Sequence, residues 1–257
     1  MCYDVSYFTQ KKKNYAKRQP DKDMSALETL FDEKGNPIKP IFHVTGFEHP
    51  KLPVITNENP DEFNLFEWGL IPFWSKSEQQ AQELHNKTLN AKSESMFEKP
   101  AFRKAAAERR CIIMVDGFFE HHHQHKQLVP YYISLKDGVP MSLAGIWEEW
   151  KNPENLKKTT TVSIVTTAAN PLMTQIHNNP KLKEARMPLI LPEELESEWL
   201  MSITDKVTEE QVKALMKPLD EKAMQAWPVK PIRGKKRQQQ TVAITEKYKT
   251  TEQLGLF

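Results

Sequence analysis

The sequence has little cysteine, no long apolar run and almost no net charge. Two cysteines among 257 residues are too few for a disulfide framework, which favours a protein of the reducing cytoplasm. No run of about 18 apolar residues occurs, so neither a transmembrane helix nor a membrane partner is expected. The net charge of only +2 gives no argument for nucleic-acid binding, which would need local basic segments instead.

The first eight residues, MCYDVSYF, contain neither a basic stretch nor a long apolar stretch. We therefore expect no signal peptide and a cytoplasmic location. Hydrophobic residues make up 39% of the chain and charged residues 27%, which is typical of a globular protein with its own core. The length allows one large domain or two small ones.

The cysteine at position 2 has chemistry that depends on its position. Methionine before a small residue is normally removed, and removal of Met1 would leave Cys2 with both a thiol and a free α-amine. Such a pair captures an aldehyde by closing a five-membered thiazolidine ring. With pKa values of about 8 and about 8.5, both groups are partly nucleophilic near neutral pH. The alternative is a chance cysteine that begins a strand.

Two further residues are candidates for proton transfer. The apolar run 111–115 predicts a buried strand in which Cys111 is an inert core thiol. It leads through two phenylalanines to Glu120, where desolvation would suit a carboxyl group for moving protons. His177, at the end of a short predicted helix, would carry protons near neutral pH if it faced a thiol and a carboxylate. The alternatives are an exposed strand end for Glu120 and a structural role for His177.

Several residues are candidates for contacts with nucleic acid. Trp68 and Pro72 lie in an aromatic segment that indicates either core packing or a platform on which bases stack. The amide of Asn90 could orient an amine or a sugar hydroxyl, and Lys92 could contact a phosphate. The alternative for this polar segment is helix capping and a turn.

Residues 121–125 contain four histidines around one glutamine. Imidazoles bind metals, but consecutive side chains point in different directions, and no cysteine or carboxylate follows at a ligand spacing. We expect a surface loop here, with no metal site and no cofactor.

The pattern after the histidines predicts a β-hairpin and a basic C-terminal segment. Strands at 130–135 and 141–147 flank the tight-turn sequence Lys136-Asp137-Gly138. After Trp227 the chain becomes basic. We therefore divide it into a catalytic domain, residues 1–229, and a basic C-terminal segment and tail, residues 230–257.

In order along the chain, the motifs together resemble the SOS-response-associated peptidase (SRAP) family of abasic-site-processing proteins. The resemblance covers nearly the whole chain, and it depends on the order of all its parts. Those parts are Met1-Cys2, Trp68-Gly69-Leu70-Ile71-Pro72, Asn90-Ala91-Lys92-Ser93-Glu94, Gly117-Phe118-Phe119-Glu120, Ala144-Gly145-Ile146-Trp147, Thr167-Ala168-Ala169-Asn170, and His177 with Arg186-Met187-Pro188.

The resemblance implies a single α+β domain with a strongly curved, barrel-like mixed sheet flanked by helices. It implies that Cys2 forms a covalent thiazolidine cross-link with abasic sites in single-stranded DNA. Asn90 would hold the N-terminal amine, Glu120 would move protons, and His177 would assist Schiff-base and strand-cleavage chemistry. The "peptidase" of the family name would refer chiefly to release of the residue ahead of Cys2.

DNA would be contacted by basic residues that match those of the family, and by the aromatic segment. The basic residues are Lys92 and Arg186, and the segment contributes Trp68 and Pro72. The chain departs from the family pattern at four places. These are Tyr3-Asp4 after Cys2, lysine in place of arginine at Lys92, His121 after Glu120, and residues 178–185, which are inserted between His177 and Arg186.

The chain ends in a sequence that resembles the short peptide with which bacterial repair proteins bind the sliding clamp. A glutamine that forms hydrogen bonds and apolar anchors would fit a groove on such a partner. The residues are Gln253, Leu254, Leu256 and Phe257. The alternative is a packed terminal strand or a frayed end.

Three other functions remain open on sequence alone. The first is a cysteine peptidase that acts in trans with Cys2, His177 and a carboxylate. The second is a non-catalytic reader of modified DNA, and the third is a metal-binding protein built on residues 121–125. For the abasic-site-processing protein that the resemblance implies, we expect a monomer.

Overall fold

The structure is a computed structural model that describes residues 2–7, 41–60, 63–124, 127–233 and 244–248. The strands in these ranges are β1 (Asp4–Tyr7), β2 (Ile41–Thr45), β3 (Lys51–Thr56), β4 (Phe63–Trp68), β5 (Asn90–Lys92), β6 (Arg110–Val115), β7 (Gly117–Gln124), β8 (Gln127–Leu135), β9 (Met141–Lys151), β10 (Lys158–Ala168), β11 (Arg186–Pro188), β12 (Ile190–Leu191) and β13 (Met224–Pro228). The helices are α1 (Glu78–Lys87), α2 (Arg103–Glu108), α3 (Pro171–Ile176), α4 (Glu196–Leu200) and α5 (Lys206–Ala214). None of these helices is long and apolar enough to cross a membrane.

Five strands close into a barrel. Strand β10 pairs with β4, β4 with β3, β3 with β6 and β6 with β9. Strand β9 pairs with β10, which closes the barrel. Only the contact between β10 and β4 is parallel, so the barrel is mixed. Strand β6 is buried along its whole length, because alternate side chains enter two different cores. This double burial explains its continuous apolar sequence.

A second, antiparallel sheet packs against the barrel, with the strand order β13-β8-β7-β1-β2. Its inner residues Val5, Phe118 and Ile133 share one core with Ile113 and Leu143 of the barrel. On the other side of β6, helices α2, α4 and α5 cover a second core. The prediction of a single α+β domain with a strongly curved sheet is therefore confirmed.

The predicted hairpin at residues 130–147 is wrong in its pairing. Strands β8 and β9 both exist, and Gly138 adopts the expected positive φ of 73° in the turn between them. However, β8 pairs with β7 and β13, whereas β9 pairs with β6, β10 and β12. The turn thus leads from one sheet to the other. A local turn sequence cannot specify this, because the burial of β9 on both faces decides its partners.

The C-terminal segment packs on the outer sheet wherever the structure describes it. Ile232 and Ile244 are buried against Phe119 and Tyr132. The indole of Trp227 donates a hydrogen bond to the carbonyl of Thr245 at 2.8 Å. The division after residue 229 stays a prediction, but these residues share a core with the sheet.

Arg110 is fully buried and joins two helix ends. Its guanidinium donates to the carbonyls of Ala106 and Ala107 at 2.8 Å each, at the end of α2. It also donates to the carbonyls of Trp199, at 2.9 Å, and Met201 at the end of α4. Burial lowers its pKa to about 10, which leaves it charged at neutral pH. Helix C-terminal carbonyls favour such a cation.

We expect Arg110→Met to lower the free energy of unfolding by about 3 kcal/mol, because four buried carbonyls lose their donor. Urea unfolding followed by tryptophan fluorescence would measure the loss. The control is Arg103→Met, which removes an exposed arginine from the same helix region. Equal stability of the two variants would show that Arg110 does not hold the helix ends.

Candidate active site

The pairing of β1 with β7 places Cys2 near Glu120. Asp4 lies opposite Phe119 in the antiparallel register. The preceding residue, Tyr3, therefore lies next to Glu120. Cys2 is only 1% exposed, and its Sγ lies 4.0 Å from the carbonyl oxygen of Asp4. Burial raises the pKa of the Cys2 thiol, and the negative charge of Glu120 acts in the same direction. The thiol is therefore protonated at neutral pH.

Glu120 and His177 form a carboxylate–imidazole pair. Glu120 Oε2 lies 3.8 Å from His177 Nδ1, and Glu120 Oε1 accepts a hydrogen bond from the backbone N–H of His121 at 2.9 Å. His177 directly follows α3 as its C-cap, and its backbone N–H donates to the carbonyl of Met173 at 2.8 Å. Burial lowers the pKa of His177, although the charge of Glu120 opposes this shift. The imidazole is thus neutral at neutral pH and able to accept a proton.

The backbone of Arg186 holds the ring of His177. His177 Nδ1 lies 2.8 Å from the carbonyl oxygen of Arg186 and 3.2 Å from its backbone nitrogen. A protonated Nδ1 donates to that oxygen, and an unprotonated Nδ1 accepts from that N–H, so each contact belongs to one tautomer. The direct contact between the two residues means that residues 178–185 leave and rejoin the site as a loop. The insertion therefore does not separate His177 from Arg186.

Asn90 contacts the backbone of Cys2 from β5, a short strand that pairs with β10 of the barrel. Strand β5 runs parallel to β10, and Asn90 Nδ2 donates to the carbonyl oxygen of Cys2 at 2.8 Å. Among the described residues, its Oδ1 is buried without a hydrogen-bond partner. A buried carbonyl oxygen left without a donor costs about 1–3 kcal/mol. Asn90 thus offers an acceptor beside Cys2.

The carboxylate–imidazole pair lines a cavity of about 500 Å³ that opens to solvent. Tyr3, Glu120 and His177 lie along it, and Arg233 from the basic C-terminal segment joins them. Arg233 pairs with the buried carboxylate of Asp4, which also lies 2.9 Å from His43 Nε2. Sequence reasoning did not single out this contact between Asp4 and Arg233. The basic run after Trp227 was the only feature of the sequence that pointed to this contact.

The two predicted phosphate contacts differ in accessibility. The Arg186 side chain is 3% exposed, and its guanidinium donates to both carboxylate oxygens of Glu94, at 3.1 and 2.7 Å. The Lys92 side chain is 44% exposed and pairs with Glu184. Lys92 therefore presents a cation to solvent, whereas Arg186 is held inside an ion-pair network. Glu94 and Glu184 were not recognised from the sequence as members of that network.

Trp68 and Pro72 lie in the core, and the prediction that they contact DNA is wrong in this conformation. Trp68 is 0% exposed and donates its indole N–H to Leu89 at 2.8 Å, and Pro72 is buried. Neither offers a face on which a base could stack. Gly69 between them has a φ of 116°, and a Cβ there would lie 2.5 Å from the carbonyl of His85. The segment is thus a close-packed connection after β4.

Residues 121–124 of the histidine run are the last residues of β7, and their side chains lie in two different environments. His121 lines the cavity, whereas His122 is buried with its Nδ1 3.0 Å from the carbonyl of Gln175. In the part of the chain that the structure describes, no three histidine, cysteine or acidic side chains converge to hold a metal. His125 lies outside that part.

Fold and site define an α+β protein with a closed barrel and a second sheet. Between them, the buried cysteine at position 2 lies near a carboxylate–imidazole pair. Comparison with known proteins identifies the family. The chain belongs to the SOS response associated peptidase (SRAP) family, whose sequence model matches residues 1–235.

Proteins from bacteria and from yeast are similar to this chain in sequence or in structure. The abasic site processing protein YoqW of Bacillus subtilis is 36% identical over 180 residues, which are 69% of this chain and 74% of YoqW. The abasic site processing protein YMR114C of Saccharomyces cerevisiae is 31% identical over 65% of this chain and 43% of its own. A protein from Bacteroides thetaiotaomicron with a crystal structure superposes with a TM-score of 0.79 at 32% identity, covering 96% of this chain and all of that one.

We expect Cys2 to resist alkylation in the folded protein, because burial keeps its thiol protonated. Cys111→Ala leaves Cys2 as the single thiol, and iodoacetamide labelling at pH 7.5 followed by mass spectrometry would measure its reactivity. The expected rate is about tenfold or more below that of the urea-unfolded protein. Equal rates in folded and unfolded protein would show that Cys2 is an exposed, ordinary thiol.

Proposed function

We propose that the protein processes abasic sites in single-stranded DNA by forming a covalent thiazolidine cross-link through Cys2. The observation that carries this proposal is the position of Asn90. Its Nδ2 holds the Cys2 carbonyl, and its buried Oδ1 has no donor among the described residues. An α-amine on Cys2 would supply that donor. The names of YoqW and YMR114C support abasic DNA as the class of substrate.

Removal of Met1 comes first in this mechanism. Hydrolysis of the Met1–Cys2 peptide bond consumes one water, releases methionine and leaves the α-amine on Cys2. Met1 lies outside the described residues. The peptidase of the family description supports self-processing, and Glu120 and His177 are the nearby groups that move the protons of a hydrolysis.

Cross-linking then takes place in two steps. The Cys2 α-amine attacks the aldehyde carbon of the ring-opened sugar, and one water leaves as the imine forms. The thiol next adds to the imine carbon, so that a C–S bond forms, the sulfur proton goes to a base and the nitrogen gains a proton. Because burial keeps the thiol protonated, the amine attacks first, and Glu120 or neutral His177 takes the thiol proton.

The imine also accounts for a lyase activity. Loss of a proton from the sugar carbon next to the imine carbon expels the phosphate on the 3′ side and leaves an unsaturated sugar. His177 is neutral at neutral pH, so its imidazole is a suitable base for that proton. Thiol addition removes the imine and thereby stops this cleavage. The order of the two reactions at the imine sets the balance between cross-link and strand break.

Exposed cations near the site support a single-stranded substrate. The Lys92 side chain is 44% exposed and that of Arg233 is 50% exposed. Phosphates bind such cations with release of counterions. A single strand can also bend into a cavity that a duplex would not enter.

We expect a covalent band on a denaturing gel when the purified protein meets an oligonucleotide with one abasic site. Cys2→Ala should abolish the band, whereas Cys111→Ala is the matched control and should retain it. Glu120→Gln should slow its formation about 100-fold, because proton transfer typically contributes that factor. Mass spectrometry of the N-terminus would show whether Met1 is absent.

Asn90→Leu tests the observation on which the proposal rests. It has a similar size but loses both the acceptor for the α-amine and the donor to the Cys2 carbonyl, so cross-linking should slow while Met1 removal continues. No band from wild-type protein that begins at Cys2 would contradict the proposal. Turnover of peptides in trans without DNA would instead favour a cysteine peptidase, and Cys2-independent DNA binding would favour a non-catalytic reader.

We also propose that the C-terminal tail binds the sliding clamp of replication. Its residues Gln253, Leu254, Leu256 and Phe257 lie outside the described part of the structure. Support comes from their sequence alone, which has a glutamine and apolar anchors suited to a groove.

Deletion of residues 253–257 should abolish co-purification with the clamp and leave cross-linking unchanged, since the active-site residues are elsewhere. Pull-down on immobilised clamp would measure the first effect and the denaturing gel the second. Leu254→Ala with Phe257→Ala should reproduce the deletion. Undiminished pull-down by the deleted protein would contradict clamp binding through the tail.

A further inference from the structure

The loop of residues 178–185 brings a carboxylate onto the cations beside the active site. Glu184 Oε1 lies 3.3 Å from Lys92 Nζ and 2.9 Å from Arg186 Nη1. The Arg186 side chain is buried and bonded to Glu94, so Lys92 is the member of this group that a ligand from solvent reaches more readily. Glu184 therefore occupies a place from which an anion would bind Lys92.

The two ends of this loop are anchored. Asn178 Oδ1 accepts from the backbone N–H of His123 at 2.7 Å, and Asn178 Nδ2 donates to the carbonyl of His123 at 3.0 Å. At the other end the carbonyl of Ala185 accepts from Ala169 at 3.1 Å. Glu184 directly precedes this second anchor. The loop thus keeps the backbone of Glu184 beside Lys92, while the side chain, which is 54% exposed, is able to leave the ammonium.

The Glu184 carboxylate and a DNA phosphate would use the same donors. Hydrogen bonds from Arg186 and then from Lys92 lower the pKa of Glu184, so it is ionised at neutral pH. Ammonium and guanidinium groups donate to carboxylate and phosphate oxygens with similar geometry. The two anions therefore compete for the charge of Lys92.

We propose that Glu184 is an intramolecular competitor for a DNA phosphate, and that a strand binds Lys92 in competition with this carboxylate. The inference rests on the proposed function, because the phosphate belongs to the strand that carries the abasic site. Competition lowers the affinity for every single strand equally. Covalent capture then retains the protein only where an aldehyde is present, and undamaged strands dissociate.

Equilibrium binding without covalent chemistry tests the competitor. The probe is a fluorescent single strand with a tetrahydrofuran abasic analogue, which has no aldehyde, followed by anisotropy at low salt. We expect Glu184→Gln to tighten binding about three- to fivefold, as release of an exposed cation from its partner allows. The matched control is Glu149→Gln, since Glu149 pairs with Lys158 at 2.9 Å. Thr166 of β10 lies opposite Lys92, and Lys158 is eight residues, or about 26 Å, along β10 from Thr166, so this control is far from Lys92.

A double-mutant cycle separates competition at Lys92 from the simple loss of one negative charge. In a Lys92→Gln background, Glu184→Gln should have less than about half of its effect on ΔG of binding, because the shared cation is absent. An unchanged effect there, or an equal gain from Glu149→Gln, would overturn the proposal.

The wild-type cross-linking assay distinguishes failure of this inference from failure of the proposed function. A normal cross-link together with no tightening by Glu184→Gln would refute only the competitor. Absence of both cross-linking and strand binding in the wild type would refute both.

Discussion

The site depends on the position of β1 inside the outer sheet, between β7 and β2. This pairing draws the N-terminal residues into the protein, so that Cys2 is as buried as the core residue Val5. Burial has a chemical consequence, because it keeps the thiol neutral and withholds it from solvent reagents. It also places the backbone of Cys2 within reach of Asn90 on β5, which pairs with the barrel strand β10. One strand pairing thus sets both the location and the protonation of the candidate nucleophile.

Ion pairs in which one partner is buried fix the surroundings of the cavity. Asp4 contacts His43 and Arg233, which ties the C-terminal segment to the N-terminal strand. On the barrel side, Arg186 is held by Glu94, and its backbone in turn orients His177. A buried charge stripped of its partner is strongly destabilising, so these contacts resist displacement. Glu120 and His177 are left along the cavity wall, where a substrate can meet them.

Much of the local structure was predictable because apolar runs and turn residues act over short distances. Strand β6 and the Asp137-Gly138 turn are examples. The pairing of β8 and β9 was not predictable from that turn, since their partners lie far away in the sequence. The contact between Asp4 and Arg233 spans 229 positions and leaves no local pattern.

The sequence predicted which residues form the candidate site better than it predicted how they are arranged. Cys2, Asn90, Glu120 and His177 were named from motif order, and the structure places them together. Trp68 was assigned to DNA because an exposed stacking aromatic and a core aromatic have the same sequence signal, and burial alone distinguishes them. Glu184 lies in an insertion without a counterpart in the family motif, so its contact with Lys92 could only be seen in three dimensions.

The central claim is that both the amine and the thiol of Cys2 bind one sugar carbon. Mass spectrometry of the digested DNA–protein conjugate, with and without borohydride, tests it most directly. The account predicts an N-terminal peptide that begins at Cys2 and carries the sugar remnant with loss of one water. It also predicts no free thiol and no gain of hydrogen on reduction. A conjugate that retains Met1, is attached through a lysine, or has a reducible imine with a free Cys2 thiol would contradict it.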